Sequence, residues 1–331
     1  MATTDTADGL IQDLRAGSRR TLSKCLSLLE STREVDRDIA YQILERCKSG
    51  RGHSWRIGCT GPPGAGKSTF IERLGCRLAD EGRRVAVLAI DPSSRRTGGS
   101  ILGDKVRMAE LALRDSAFIR PTPSKATLGG AAPSTRDAIL VCEEAGYDTI
   151  IIETVGVGQS EVDVADMVDI FLLLALPNSG DDVQGIKRGI MEVADAVLVS
   201  KCDVDPQAAQ RAASVLAGAL RYTMPSREDW QTSVLTISST SGQGFDDVLD
   251  LLRRFFGEPR RQVIEQHRKW QRAEWFDAVV GSELLMRLRK DPLFQSARGA
   301  LREQCIDGVI APSLAVHRLV DRIHMSIRGD S

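Results

Sequence analysis

Most of what this sequence lacks removes a class of function. It has almost no net charge: 44 lysines and arginines face 45 aspartates and glutamates, a formal balance of −1 with a pI near 6.5. A near-neutral chain carries no electrostatic footprint for nucleic acid. The basic pairs Arg19-Arg20 and Arg260-Arg261 read as solvated helix faces. Long hydrophobic runs are missing too. The longest, IFLLLALP from Ile170, is far too short to cross a bilayer. The first 30 residues hold no apolar segment of the secretory kind, so the expected compartment is the cytoplasm. The seven cysteines form neither a C-x-x-C pair nor a Cys/His cluster, and are expected to be reduced, most of them core filler. The four histidines are scattered, which argues against structural zinc.

What remains is ordinary in bulk: 42% hydrophobic and 27% charged residues, as in a globular protein. The 331 residues suit one large domain with appendages or two small ones. Three zones are visible. Residues 1–52 carry helical periodicity: Ser18 is placed to cap a helix bearing Leu22, Cys25, Leu26 and Leu29, and a second helix is expected from about Val35 to Cys47. In residues 53–257 short apolar runs alternate with helical stretches: WRIGCT, VAVLAI, TIIIE, IFLLLAL, AVLVS and VLTIS. Runs so short and continuous predict strands buried on both faces, hence a mostly parallel sheet covered by helices, an α/β domain. Residues 258–331 return to helical periodicity. There RQVIEQHRKWQRAEWFDAVVGSELLMRLRK lacks strand signals, and Leu314, Leu319, Val320 and Ile323 lie on or near one face of a further helix.

The most informative stretch is CTGPPGAGKSTF. Gly61-Pro62-Pro63-Gly64-Ala65-Gly66-Lys67-Ser68 fits G-x-x-x-x-G-K-[ST], after a strand pattern and before a helix pattern. Its glycines permit backbone angles that turn successive N–H groups inward around phosphate oxygens. The following helix directs the positive end of its dipole at the same place. Prolines stiffen the loop and lower the entropy lost on binding. Lys67 is expected on the β/γ-phosphates and Ser68 on Mg²⁺, with Thr69 opening the helix behind them.

The base is addressed by VSKCD, where Ser200, Lys201 and Asp203 stand in a Lys-x-Asp arrangement at a strand end. A carboxylate there pairs with the guanine N1–H and exocyclic amine, while the lysine stem packs along the ring. Adenine offers neither donor, so rejection on the order of 10⁴-fold is expected. Serine stands at 200 where the usual motif has asparagine. It keeps a hydroxyl but is shorter, which lowers affinity more readily than base choice. Ser238 and Ser239, in TISSTSG, sit where the last guanine-contacting loop belongs.

Metal and switch candidates follow. Glu153 ends TIIIE and begins an E-x-x-G with Gly156, so it can hold Mg²⁺ through a water while the Gly156 N–H senses the γ-phosphate. Valine follows at 157, and it cannot orient water. Slow hydrolysis, on the order of 10⁻⁴ to 10⁻² per second, is therefore expected. Asp91 ends VLAID and can reach the metal or the attacking water, and Asp104 and Arg107 lie in the charged, glycine-rich stretch after it, which reads as a mobile switch. PNSGDDVQGIKRG, with Asp181, Asp182, Gln184 and Lys187, is a third such loop. The catalytic candidates are thus Lys67, Asp91, Asp104, Arg107, Glu153 and Lys187, with Ser68, Asp91 and Glu153 as metal ligands.

These motifs together resemble the MeaB/ArgK group of P-loop GTPases: GPPGAGKST, AIDPSSRRTGGSILGDKVRM, FIRPTPSKATLGG, ETVGVGQSE, GDDVQGIKRGI and SKCD occur in the group's order. The resemblance runs almost end to end. It implies an N-terminal helical extension, a GTPase core and a C-terminal helical dimerisation arm, hence a homodimer. It further implies a G-protein chaperone of an adenosylcobalamin-dependent acyl-CoA mutase, such as methylmalonyl-CoA mutase, that gates cofactor loading and protects the enzyme. On this likeness Asp91, Asp104 and Arg107 belong to switch I, Glu153–Gly158 to switch II, and Ser179–Arg188 to a third switch that couples to the mutase. Serine at 200 departs from the pattern. Two other readings stand beside it. A nickel-type insertion GTPase would carry Cys/His clusters that are missing here. A transport-linked kinase would need an amino-acid pocket or phosphoacceptor that the sequence does not display.

Overall fold

The six apolar runs become strands, and a seventh joins them. In the computed structural model, which describes residues 7–47, 54–91, 108–123, 133–154, 160–177, 188–222, 227 and 229–329, they are β1 (Trp55–Thr60), β2 (Val85–Asp91), β3 (Ala117–Pro123), β4 (Thr149–Glu153), β5 (Ile170–Ala175), β6 (Ala196–Val199) and β7 (Ser233–Thr236). Among the described residues they form one seven-stranded sheet in the order β3-β2-β4-β1-β5-β6-β7, with every neighbouring pair parallel. All residues of β4, β5 and β6 are buried, as in a sheet covered on both faces. The strand that apolarity did not announce is β3, which carries Arg120, Pro121 and Pro123. A strand with prolines belongs at a sheet edge, and β3 lies there.

Alternation along the strands splits the core into two layers. Ala86, Leu88, Ile90, Ile150 and Ile152 face α1 (Ala7–Arg15), α2 (Arg19–Glu30), α3 (Glu34–Arg46) and α6 (Pro133–Glu144). Ile57, Cys59, Val85, Val87 and Ile151 face α4 (Lys67–Asp80), α5 (Ala109–Ala112) and α10 (Phe245–Phe255). Ser18 does cap α2, its Oγ accepting from the Thr21 N–H at 3.2 Å. The edge strand is tied to α2 by Arg120, whose Nη2 lies 2.6 Å from Glu30 Oε2. The first layer also takes in α7 (Ser160–Ala165), α8 (Arg188–Val193) and α9 (Pro206–Leu220) through Val164, Met191 and Leu216.

The amino-terminal edge of the sheet is fixed by two buried aspartates. Asp169, just before β5, accepts from the Arg56 N–H at 3.0 Å, and Arg268 grips both its oxygens at 2.7 and 2.6 Å. Asp195, just before β6, accepts from the Phe171 N–H at 2.8 Å and pairs with Arg227 at 3.0 Å. Removing one partner from such a buried pair strands a charge, at a cost of about 3–5 kcal/mol. Arg268 belongs to α11 (Arg261–Lys290), one unbroken helix of 30 residues.

The chain divides into two compact units, residues 1–271 and 272–331. Within the second, α12 (Pro292–Ile306) and α13 (Pro312–Gly329) pack through Leu301, Ile310, Ala315 and Leu319. Of the expected stripe on α13, Leu319 joins this cluster, while Leu314 and Val320 stay 45% and 54% exposed.

One half-buried carboxyl is shifted by its surroundings. Burial pushes Asp137, on α6, up from 3.8 to about 6. The folded chain then holds a proton that the unfolded chain has released, so this group's contribution to stability falls as pH rises from about 4 to about 6. Asp137→Asn is expected to stabilise the protein by about 1–3 kcal/mol at pH 7 and to make little difference at pH 4. Urea midpoints of the two proteins at both pH values check this.

Candidate nucleotide site

Parallel strands send all their carboxyl ends to one edge, and at that edge β1 lies between β4 and β5. The chain passes from β4 to β5 across β1, the kind of reversal point at which open α/β sheets bind ligands. Gly61 leaves β1 with φ 149°, and a Cβ there would approach Leu174 O to 2.5 Å. Only glycine fits. Gly64 and Gly66 take φ 80° and 85°; for them the demand is conformational. Gly66 precedes α4, and its carbonyl accepts from the Phe70 N–H at 2.8 Å. Among the described residues no side chain caps α4, and no acid stands in its first turn. The positive end of the helix dipole therefore faces the loop, as an anion site requires.

Lys67 Nζ donates to Gly61 O at 2.8 Å and Pro62 O at 3.3 Å, which lays the ammonium across the loop. Ser68 Oγ donates to Glu153 Oε1 at 2.8 Å. This bond joins the first turn of α4 to the end of β4 and sets a hydroxyl beside a buried carboxylate. Mg²⁺ takes hard oxygen ligands, usually one or two from protein and the rest from water and phosphate. The Ser68–Glu153 donor set fits that ion. Beneath them Cys59 is fully buried. Burial pushes its thiol pKa up, the Glu153 charge pushes it further, and Lys67 opposes both.

Toward the other edge lies the candidate base turn. Ser200 is buried; its N–H and Oγ both donate to Ala175 O, at 2.8 and 3.1 Å. Lys201 follows at φ 60°, which makes it the positive-φ residue other than glycine among the described residues. Left-handed backbone in a residue with a Cβ costs about 1–3 kcal/mol and concentrates at functional sites. Lys201 and Asp203 are exposed. The Cys202 N–H donates to Ile237 O at 3.1 Å, which binds this turn to the one after β7. There Ser238 is buried and its Oγ accepts from the Ser241 N–H at 3.0 Å. Ser239 and Thr69 line one cleft of about 330 Å³ together with Arg73.

The structure thus gathers Gly61 through Thr69, Glu153, Ser200, Lys201, Asp203, Ser238 and Ser239 along one sheet edge. Asp91 closes β2 opposite Pro123; its side chain lies outside the described residues. So do Asp104, Arg107, Gly156 and Lys187. Two residues given no role by the motifs also stand here: Thr60, directly before the glycine loop, and Thr154, the first variable position of E-x-x-G. Their only sequence signal is a hydroxyl at the end of an apolar strand.

Comparison with known proteins identifies relatives over nearly the whole chain. The family described as "Methylmalonyl Co-A mutase-associated GTPase MeaB" matches residues 22–292. A protein described as "Probable GTPase" from Mycobacterium tuberculosis (strain H37Rv) is 44% identical over 98% of this chain and 97% of its own. The mouse protein described as "Methylmalonic aciduria type A homolog, mitochondrial" is 40% identical over 95% of this chain and 78% of its own. A crystal structure of an LAO/AO transport system kinase is similar with a TM-score of 0.76 and 33% identity, over 98% of this chain and 99% of that one.

The tightest steric demand in the loop gives a test. Gly61→Ala is expected to weaken binding of the nucleotide by more than about tenfold, because the added Cβ must push the loop root off Leu174. Titration calorimetry with GDP, alongside a melting curve to confirm folding, measures it.

Proposed function

Since this chain belongs to the MeaB family of methylmalonyl-CoA mutase-associated GTPases, we propose that it is a G-protein chaperone of an adenosylcobalamin-dependent acyl-CoA mutase. It is a GTPase with the parallel α/β fold of its structural relative. In the proposed role it hydrolyses GTP slowly, gates loading of the cobalamin cofactor, and protects or reactivates the mutase. The family match carries the mutase part of this reading, and the Ser68–Glu153 bond at 2.8 Å beside a glycine loop whose lysine lies across it carries the nucleotide part.

The chain's own groups divide the work. The loop amides and the α4 dipole hold the β- and γ-phosphate oxygens, and Lys67 leaves the carbonyls of Gly61 and Pro62 for those oxygens. Ser68 and Glu153 would hold Mg²⁺, with Asp91, the last residue of β2, as the further proposed ligand. Bound there, the ion neutralises charge on the phosphates. Lys201 packs along the guanine and Asp203 accepts its two N–H donors, while Ser200, Ser238 and Ser239 shape the turns around it. Asp104, Arg107, Gly156 and Lys187 belong to the switch segments that report the γ-phosphate to the mutase. The proposed organisation is an N-terminal extension in residues 1–52, a GTPase domain in 53–257 and a dimerisation arm in 258–331, working in the cytoplasm. Exposed Phe276, Leu285, Leu293 and Val309 in the second unit favour a homodimer.

Three measurements test this. GTP and GDP should bind with Mg²⁺ while ATP does not, and Asp203→Asn should move preference toward xanthine nucleotides; a wild-type protein that takes ATP equally well would return the kinase reading. A cobalamin-dependent mutase should be captured differently by the GTP- and GDP-loaded protein, and equal capture in both states and without nucleotide would remove the chaperone role. Light scattering should give twice the chain mass of 36.1 kDa.

A further inference from the structure

We propose that Thr60 and Thr154 form a positioning pair that holds Glu153 at the height the metal site requires. The inference rests on the reading of Glu153 and Ser68 as the metal-side groups. The last ladder pair between β1 and β4 is Cys59 with Glu153. One residue further, the Thr154 N–H donates to Cys59 O at 3.0 Å, and Thr154 Oγ1 donates to Thr60 Oγ1 at 2.7 Å. Both side chains are buried, at 0% and 1% exposure, so neither is reached by bulk water.

Strand parity decides what this bond does. On β4, Ile150 and Ile152 belong to the layer under α6, and Thr154 continues their face; Ile151 belongs to the α4 layer, and Glu153 continues that one. On β1, Ile57 and Cys59 face α4, so Thr60 faces the other way with Gly58, whose Cβ would strike Phe171 and Val168. The Ser68–Glu153 bond and the Thr154–Thr60 bond therefore lie on opposite faces of the same strand pair, one residue apart. Thr60 immediately precedes Gly61, the root of the phosphate loop. Thr154 immediately follows Glu153. The pair fixes the strand end that delivers the carboxylate to the strand end that delivers the loop, and it does so without touching nucleotide or ion. An apolar pair would pack the same volume. It would not set the relative height of the two strands, because dispersion contacts tolerate sliding and a 2.7 Å hydrogen bond does not.

Thr154→Val keeps shape and removes the hydroxyl. The expected result is a fall in kcat of about tenfold and a rise of about tenfold in the Mg²⁺ concentration giving half-maximal rate, with KM for GTP changed less than about threefold. Thr154→Ser restores the hydroxyl and should recover both quantities to within about twofold. Thr60→Val should reproduce the Thr154→Val effect, and the double variant should be no worse than either single one. A Thr154→Val protein that melts lower yet keeps its kcat and Mg²⁺ requirement would overturn the proposal, as would a Thr154→Ser protein that behaves like the valine variant. Lys67→Ala and Glu153→Gln run alongside separate two failures. If both controls lose activity, and Glu153→Gln also raises the Mg²⁺ requirement, while Thr154→Val does neither, the positioning role is wrong and the site stands. If Glu153→Gln leaves the Mg²⁺ requirement unchanged, the reading of the site itself fails, and the positioning role fails with it.

Discussion

The parallel, in-register pairing of β1 with β4 is the constraint on which the site depends. β1 ends in the phosphate loop and β4 ends in Glu153, and their ladder runs from Trp55↔Thr149 to Cys59↔Glu153. A slip of one residue would turn Glu153 away from α4 and onto the opposite face. The Ser68 hydroxyl could not follow it. Five consecutive ladder pairs hold this register, and every residue of β4, Glu153 included, is buried in it. A core decision thus sets the geometry of a polar site.

The two edges of the sheet are built on different principles. At the amino-terminal edge, side chains from distant segments close on strand roots: Asp169 with Arg56 and Arg268, and Asp195 with Phe171 and Arg227. At the carboxyl edge the fixed bonds are short-range in space but leave the loops themselves outside the ladder. Gly61 is held against Leu174, Ser200 against Ala175, and Cys202 against Ile237. Anchors of this kind set the frame on which a nucleotide-reading surface is built.

How much of this could be read from residues alone varied with the range of the cause. The loop from Gly61 to Ser68 was legible because its function is local: strand, turn and helix follow one another without interruption. The central strands were legible because burial on both faces leaves an uninterrupted apolar run. β3 was not, since Arg120 and two prolines hide an edge strand whose partner lies on β2. Ser200 looked like a weakened base contact. Its hydroxyl faces Ala175 O, a carbonyl 25 residues away, and no spacing rule predicts that pairing. The threonines at 60 and 154 were silent for the same reason: each is an ordinary strand residue until the sheet sets them side by side.

The grip of Arg268 on Asp169 also bears on how the chain is made. The two residues lie 99 positions apart. At a synthesis rate of about 5–20 residues per second, the aspartate precedes its arginine by about 5–20 s. During that interval the root of β5 holds a charge that the finished protein seals from water. The carboxylate of Asp169 therefore gains the guanidinium that pairs it only once α11 has been made.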